Sequence, residues 1–312
     1  MSARRVARED RVLPFLLERA SVRGRFVRLE ETVDYVLTAH AYPEPVSRQL
    51  AELLVLAASF VGALKFQGTF SLQLRADGPV RLMVADVTND GMMRGYASFD
   101  EARVGKLAET TAATLFGGGV LVLTVDQRAV GGEMQQAIVR LDGESLSQAV
   151  LAYFHRSEQI PTAIRTACAR DPLSSRWRAG GLVLQAMPGE GSEDPEERSE
   201  HWHRVMMLLE TVREEELLGD GLSMEEVLYR LFHEEGVRVF DPLAVAPGCS
   251  CDEERVRDML RQFPREEIEA MRLADGRIEV TCQFCSRRYV LDRDAVDALQ
   301  REKRQSTRGE GR

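Results

Sequence analysis

Four of the five cysteines of this 312-residue chain lie in two close pairs near the C-terminus, and their spacing constrains the fold more than any other feature. Cys249 and Cys251 form the first pair, and Cys282 and Cys285 follow after a spacer of 30 residues. Two short pairs around a small folded stretch supply four thiolate ligands for tetrahedral zinc at little loop-closure cost. The spacing therefore predicts one Zn²⁺ per chain, bound by these four cysteines in the reduced protein.

The first pair has one intervening residue, where an ordinary zinc ribbon has two. Without metal, this spacing leaves two thiols near the lower limit of separation for a disulfide. In an unfolded module the shortest loops close most readily, so the predicted disulfides are Cys249 to Cys251 and Cys282 to Cys285. The spacing thus suits the site to oxidation as well as to metal binding.

The residues around the cysteines resemble the C-terminal module of the heat shock protein 33 family, from Cys249 to Val256 and from Gly276 to Tyr289. Further blocks resemble the core domain of that family in the same order: Leu64 to Gly68, Gln73, Arg94 to Tyr96, Tyr153 to Thr162, and Gly180 to Gln185. The resemblance implies a holdase chaperone that is latent with zinc bound. In that family oxidation of the cysteines activates binding of unfolding client proteins, and the active form is a homodimer.

The composition is that of a water-soluble chain with more than one domain. It is 44% hydrophobic and 29% charged. The longest nearly uncharged apolar stretch, Leu53 to Leu64, is too short to cross a bilayer, and the apolar run from Val12 to Leu17 is shorter than a signal-peptide core. We therefore expect a cytoplasmic protein with no membrane partner, in a reducing compartment that keeps the thiols available to metal.

The net charge of -9 is concentrated in one segment. The residues from Glu190 to Glu235, here called the acidic segment, contain 15 acidic and 4 basic residues, a net of -11. A polar stretch from Gly189 to Pro195 opens it as a linker. Two helical patterns follow, one after Ser199 and one that begins with a capping box at Ser223 and Glu226.

Both helices of the acidic segment are predicted to be amphipathic, and their apolar stripes need a partner surface. The general expectation is that they pack against the core domain. Adjacent like charges on the polar faces weaken such helices, so we expect marginal docking and exposure of the stripes on demand. The candidate client-binding residues are Trp202, Met206, Leu209, Val227, Leu231 and Phe232.

Before the acidic segment the pattern is mainly strands. Alternating residues around the turn Asp77-Gly78-Pro79 predict a hairpin, and Asn89-Asp90-Gly91 predicts the next turn. Sheet runs with interspersed helices favour an α+β core with a mixed or antiparallel sheet over a doubly wound fold. The other expected elements are strands at 25–29, 120–125, 135–141, 162–169 and 181–187, and helices at 32–39, 47–64, 102–112 and 146–158.

The predicted domains are the α+β core (1–188), a helical acidic linker (189–245), a zinc-binding redox-switch module (246–300) and a disordered tail (301–312). The glycine-rich stretch Phe116 to Gly119 lacks the lysine of a phosphate-binding loop, so we expect a bulge or a tight turn there. No nucleophile with a base stands out, and no catalytic residues are predicted. Cys168 is expected to be a structural thiol. We therefore expect a protein that is not an enzyme.

A constitutive zinc-ribbon-like module that binds nucleic acid or protein is the alternative function. Arginines and lysines in and after the module could contact phosphate, namely Arg287, Arg288, Arg301, Lys303 and Arg304. Acidic residues are at least as frequent in the same module, and the whole chain is acidic. We therefore expect no nucleic-acid partner, and we expect arginines beside the cysteines to offset the charge of four thiolates on one zinc.

Overall fold

The computed structural model describes residues 10–61, 67–142, 145–187, 194–219 and 221–298. The chain divides into two compact units, Met1–Gly248 and Cys249–Arg312. The predicted disordered tail (301–312) and the start of the predicted linker (189–193) lie outside the described residues.

The strands in the described part of the chain are β1 (Arg11–Leu17), β2 (Val22–Leu29), β3 (Thr69–Ala76), β4 (Val80–Thr88), β5 (Met92–Phe99), β6 (Gly118–Asp126), β7 (Met134–Asp142), β8 (Thr162–Arg170), β9 (Trp177–Ala186), β10 (Val237–Val239), β11 (Leu243–Ala244), β12 (Ala246–Pro247), β13 (Ile278–Thr281) and β14 (Arg288–Leu291). The helices are α1 (Glu31–Thr38), α2 (Glu44–Phe60), α3 (Glu101–Val104), α4 (Ala112–Phe116), α5 (Leu146–Tyr153), α6 (Pro195–Glu210), α7 (Glu214–Leu218), α8 (Met224–Phe232), α9 (Glu253–Gln262) and α10 (Arg265–Ala270). A π-helical turn, Phe154–Glu158, extends α5.

The first unit contains two large sheets. The first sheet has the order β10-β1-β2-β9-β8, with β11 also paired to β1, and all its pairs are antiparallel. The second sheet has the order β12-β5-β4-β3-β6-β7, and only the short β12 runs parallel to its neighbour. The second unit contains a small antiparallel hairpin of β13 and β14. The prediction of an α+β fold with mixed or antiparallel sheet is confirmed.

The main apolar core lies around α2, which packs against strands of both large sheets. Its residues from Leu53 to Ala58 are fully buried on every side of the helix, which explains why this stretch reads as a continuous apolar run. The core holds the two sheets in place, so the outward face of the first sheet is left for other elements to cover.

Local turn chemistry sets the strand connections. Both predicted turns, at Asp77-Gly78-Pro79 and Asn89-Asp90-Gly91, connect consecutive antiparallel strands. Gly91 adopts a φ of +88°, and a Cβ at this position would lie 2.0 Å from the carbonyl oxygen of Ala244. Glycine is therefore needed here both for the turn and for the close approach of the chain that leads to the C-terminal unit.

Two predictions about the core elements are wrong. Only the first turn of the predicted helix at 102–112 forms, because α3 ends at Val104, before Gly105, and α4 begins after the cap residue Thr111. The bulge or tight turn expected at Phe116 to Gly119 is instead a helix end, where Gly117 has a φ of +64°, followed by the start of β6. In both cases a glycine ends a helix, Gly105 after α3 and Gly117 after α4.

Candidate metal centre

The four cysteines of the C-terminal pairs lie at the ends of regular elements, where the backbone turns. Cys249 and Cys251 occupy the extended segment between β12 and α9. Cys282 follows β13 directly, and Cys285 lies in the turn to β14. That turn is fixed by hydrogen bonds from Cys282 N to Arg287 O (2.9 Å) and from Ser286 N to Cys282 O (2.9 Å). The hairpin therefore fixes the backbone around Cys282 and Cys285.

The thiols converge on one point. The four Sγ atoms lie within 4.8 Å of one another, with 3.7 Å between Cys249 and Cys282 and 3.3 Å between Cys251 and Cys285. A tetrahedral zinc site with Zn–S bonds of about 2.3 Å has sulfur atoms about 3.8 Å apart. The observed sulfur positions and the all-thiol donor set therefore fit a four-cysteine zinc site. Sequence spacing alone located all four residues.

The hydrogen bonds around the sulfurs are unequal. The hydroxyl of Tyr289 donates to Cys251 Sγ at 3.1 Å. Burial raises the pKa of the Cys251 thiol, but the hydrogen bonds from Tyr289 and the neighbouring thiols outweigh it and lower that pKa to about 7. Burial is the largest cause of a pKa of about 12 at Cys285. Without metal, a thiolate therefore forms more readily at Cys251 than at Cys285.

Two arginines follow the second cysteine pair, and they differ in role. Arg287 hydrogen-bonds Tyr289 and interacts favourably with Cys251 and Cys285, which raises its own pKa. Arg288 instead pairs with Glu279 across the hairpin at 3.4 Å. Arg287 is thus the guanidinium that offsets thiolate charge, and the sequence did not distinguish it from its neighbour.

Two other residues with metal-binding side chains, Cys168 and His233, lie elsewhere in the chain. Cys168 is in β8, where its Sγ lies 3.7 Å from the carbonyl oxygen of Arg48 and burial raises its pKa to about 11. His233 contacts the carbonyl oxygen of Tyr229 through Nδ1 at 3.1 Å. Neither residue belongs to the cluster of potential metal ligands found among the described residues.

The core of the C-terminal unit is small. Its buried residues in the described part of the unit are Val256, Leu260, Ile268, Ile278, Leu291 and Val296. They join α9 and α10 to the hairpin that carries Cys282 and Cys285. A core of this size gives only marginal stability without a disulfide or a bound metal. The cysteine cluster therefore bears directly on the stability of the unit.

The acidic segment forms α6, α7 and α8, which cover the outward face of the first sheet. Its helices begin at Asp194 and Ser223 as caps, and the capping box of Ser223 with Glu226 is present as predicted. The first helix starts at Pro195, four residues before the predicted start. The buried apolar residues of this face, here called the covered face, come from both partners: Leu13, Phe15, Leu17, Val22, Phe26, Ala163, Ala167, Leu182, Leu184, Val205, Leu209, Leu217, Met224, Val227, Leu228, Leu231 and Phe232.

Four of the six candidate client-binding residues belong to the covered face, and the other two pack against it. Val227, Leu231, Phe232 and Leu209 are buried, and Phe232 stacks on Phe15 of β1 with ring centroids 6.3 Å apart. Trp202 and Met206 are half-buried at its margin. The structure thus brings these residues together and shields them.

Arginines neutralise the acidic groups that approach the sheet. Glu216 is 1% exposed and pairs with Arg213 (3.2 Å) and Arg230 (2.5 Å). Glu235 is also 1% exposed, and Arg204 binds both of its carboxylate oxygens. Burial works against ionisation of Glu216, but the arginine contacts prevail and its pKa is lowered. Glu216 and Glu235 therefore stabilise the packing of the helices of the acidic segment with one another, whereas the sequence analysis expected its adjacent like charges to weaken the helices.

One residue of the sheet holds α7 directly. Arg28 of β2 donates to the carbonyl oxygens of Glu216 (2.6 Å), Leu217 (3.2 Å) and Leu222 (2.9 Å). These carbonyl groups lie at the end of α7 and just beyond it, where helical partners are missing. Sequence reasoning missed Arg28, because its place on the same strand face as the buried Phe26 gives no sign of which distant carbonyl groups it meets.

None of the helices in the described ranges is long and apolar enough to span a bilayer.

Known proteins resemble this chain along nearly its whole length. A family model described as "Hsp33 protein" matches residues 10–292. The "33 kDa chaperonin" of Caulobacter vibrioides (strain NA1000 / CB15N) is 40% identical over 292 residues, covering 91% of this chain and 95% of that protein. The protein of the same name from Proteus mirabilis (strain HI4320) is 34% identical over 296 residues, covering 94% and 97%. The crystal structure of the 33 kDa chaperonin from Thermotoga maritima, a heat shock protein 33 homologue, has the same fold, with a TM-score of 0.79 at 24% identity over 95% of this chain and 99% of that one.

Proposed function

The chain belongs to the Hsp33 family of chaperones, and from this premise we propose that it is a redox-regulated holdase of the cytoplasm. In the proposed cycle the reduced protein is latent, oxidation of four cysteines activates it, and the active form binds unfolding proteins as a homodimer. The observation that carries the proposal is the convergence of four thiols within 4.8 Å in a unit with a small apolar core.

In the reduced state Cys249, Cys251, Cys282 and Cys285 hold one Zn²⁺. Bound zinc contributes about 10 to 16 kcal/mol to the folding of small zinc-dependent peptides. That contribution exceeds the stability expected of a unit with so few buried side chains. The fold of the C-terminal unit therefore depends on its thiolate ligands, and any reaction that consumes them unfolds it.

Oxidation by a peroxide is such a reaction. Each disulfide forms when two thiols lose two electrons and two protons, and hydrogen peroxide accepts both and becomes two molecules of water. Attack begins at a thiolate, the form in which zinc holds all four cysteines. Two disulfides consume all four ligands, so metal is released and the unit loses its main source of stability.

The predicted final disulfides are Cys249 to Cys251 and Cys282 to Cys285, because short loops close most readily once the unit unfolds. In the folded unit, by contrast, the nearest sulfur pairs are Cys249 with Cys282 and Cys251 with Cys285. Peptide mapping after peroxide treatment distinguishes the two orders of events. Short-loop disulfides are expected, and dominant cross-links between the two pairs would mean that oxidation is completed in the folded site.

The acidic segment is the proposed link between the cysteines and the client surface. The chain runs from α8 through β10, β11 and β12 to Pro247, two residues before Cys249. These three strands are only three, two and two residues long, so they are easily lost from the sheet edges. When the C-terminal unit unfolds, this connection loosens, α6 to α8 leave the first sheet, and the covered face becomes available to clients. The acidity of the segment keeps the opened protein soluble.

The deciding experiment is light scattering of a heat-unfolded client protein in the presence of the reduced zinc-loaded protein or the peroxide-treated protein. We expect the oxidised protein alone to suppress aggregation, and the Cys168→Ser variant to behave in the same way. Equal behaviour of the reduced and oxidised proteins would instead favour a constitutive zinc-dependent binding module.

A further inference from the structure

A cavity of about 290 Å³ lies on the face of β2 opposite to the acidic segment. Residues of both large sheets, of α2 and of α5 line it. Its apolar wall includes Phe60, whose ring stacks on Phe70 (4.7 Å between centroids) and on Phe154 (5.3 Å). The volume is near the lower end of the range of about 300 to 1,000 Å³ typical of small-molecule sites. The cavity is thus large enough for a compact organic molecule.

A buried cation lines this cavity. Arg25 of β2 is 7% exposed, and no hydrogen-bond acceptor or carboxylate contacts its guanidinium in the described part of the chain. Burial, with a smaller effect from Arg23, lowers its pKa to about 10, so it remains charged at neutral pH. A buried charge without a partner destabilises a fold, and such groups are typical of binding sites.

Two further polar groups line the same wall. Arg23 lies two residues before Arg25 on the same face of β2, and its Nε donates to Gln185 Oε1 at 3.1 Å. This contact directs the amide nitrogen of Gln185 away from Arg23. Gln185 is 2% exposed, and its Nε2 has no acceptor among the described residues. The cavity therefore presents a guanidinium and an amide donor, both without a partner among the described residues, beside an aromatic wall.

One carboxylate also lines the cavity. Glu158 is exposed, and it accepts a hydrogen bond from the hydroxyl of Tyr153 at 2.6 Å rather than pairing with either arginine. Gln135 and Gln136, also exposed, line the cavity with it, so the cavity is reached from the surface on this side. With two arginines and one glutamate, the lining carries a net positive charge at its buried end.

We propose that this cavity binds a small amphiphilic anion, a monocarboxylate with an apolar chain or ring. Its carboxylate accepts hydrogen bonds from Arg25 and Gln185, and its apolar part lies along Phe60 and Phe70. A fully hydrated inorganic anion matches the donors but not the aromatic wall, and a neutral apolar molecule leaves the buried charge unpaired. The site lies on the far side of β2 from the covered face, and its occupancy does not depend on the redox cycle proposed above.

The test is calorimetric titration of the reduced full-length protein with octanoate, with its neutral analogue octanamide and with inorganic phosphate. We expect saturable binding of one octanoate per chain. Octanamide should bind about 30-fold more weakly, which corresponds to about 2 kcal/mol at about 1.4 kcal/mol per tenfold. Phosphate should give no saturable binding. Because these three titrations use the unmodified protein, they do not depend on the folding of any variant.

Two variants locate the site. Arg25→Met removes the charge but keeps an apolar side chain, so we expect it to lose octanoate binding while its ligand-free Tm is unchanged or higher. Arg81→Gln alters an exposed arginine of β4 outside this cavity and should bind octanoate like the wild type. Octanoate should accordingly raise the Tm of the wild type and of Arg81→Gln only.

Four results would overturn the proposal. They are no saturable binding of octanoate, equal affinity for octanamide, equal affinity for phosphate, and undiminished octanoate binding by a folded Arg25→Met variant.

Discussion

The covered face beneath the acidic segment and the core of the C-terminal unit differ in size and in what holds them together. The covered face contains 17 buried apolar residues in the described part of the chain, contributed by the strands and by the helices of the acidic segment, and Arg28 of β2 holds α7 to the strands. The C-terminal core contains six, and the four thiols converge beside it. A region stabilised by many small contacts depends on no single one of them. A region stabilised by one metal site responds to the loss of that site as a whole. The C-terminal unit is thus suited to sense oxidation, and the covered face is suited to become exposed in response.

The largest expected effect comes from removing one metal ligand. Cys282→Ser should abolish stoichiometric zinc binding and unfold the C-terminal unit, because about 10 kcal/mol or more of binding energy is lost. Metal analysis and hydrogen exchange of residues 249–298 measure the two consequences. Cys168→Ser is the matched control, since its thiol lies in β8, and it should retain full zinc content. Full zinc in Cys282→Ser, or loss of zinc in Cys168→Ser, would contradict the ligand assignment.

A charge within the covered face should give the next largest effect. Leu231 is 3% exposed, and Leu231→Asp places an unpaired carboxylate among apolar side chains, at a cost of several kcal/mol. We expect α8 to undock and the reduced protein to suppress client aggregation partly, while zinc stays bound. Tyr229→Asp is the control, because Tyr229 is 68% exposed on the same helix. If the acidic segment undocks in Leu231→Asp and the reduced variant still does not suppress client aggregation, the client surface lies outside the covered face.

Loss of the Arg28 contacts should have a smaller effect. Arg28→Gln removes charged hydrogen bonds to the carbonyl groups of Glu216, Leu217 and Leu222, worth about 2 kcal/mol in total after replacement by water. Amides of α7 should exchange faster in the reduced protein, with the C-terminal unit unchanged. Arg19→Gln, an exposed change in the adjacent hairpin turn, should leave the exchange of α7 as it is. Unchanged protection of α7 in Arg28→Gln would mean that apolar burial alone docks this helix.

The smallest expected effect is a dependence of docking on acid pH. The pKa of Glu216 is lowered in the folded protein by Arg213 and Arg230 against the effect of burial. Its ionised form therefore stabilises docking above its ordinary pKa of 4.5, and this stabilisation is lost as pH falls through the lowered value. In denaturant unfolding, the free energy of unfolding should decline less between pH 7 and pH 3 in Glu216→Gln than in the wild type. Equal declines would assign the acid sensitivity to other carboxylates.

The sequence predicted those parts of the structure that depend on short-range patterns. Two close cysteine pairs, the turns at Gly78 and Gly91, and the capping box at Ser223 act over a few residues, and the structure contains all of them. The predicted helix at 102–112 was wrong because Gly105 stops α3 after four residues, which apolar periodicity does not reveal.

Long-range partners could not be predicted. The strand β1 was missed because Pro14 interrupts its pattern, yet it pairs on both edges, and the carbonyl oxygen of Pro14 accepts a hydrogen bond from Phe240 N at 3.0 Å. Arg28 and Arg25 lie on opposite faces of β2, one holding α7 and the other buried without a partner in the described part. Their roles depend on which elements cover each face, and charge patterns along the sequence do not contain that information.

Hydrogen exchange of the full-length protein in its reduced zinc-loaded and peroxide-oxidised forms shows whether loss of the thiolate site in the C-terminal unit releases the acidic segment from the first sheet. We expect α6, α7 and α8 to lose protection together with residues 249–298 on oxidation, while α2 and the second sheet stay protected. If residues 249–298 lose protection and the helices of the acidic segment keep theirs, the covered face is not the surface that oxidation exposes.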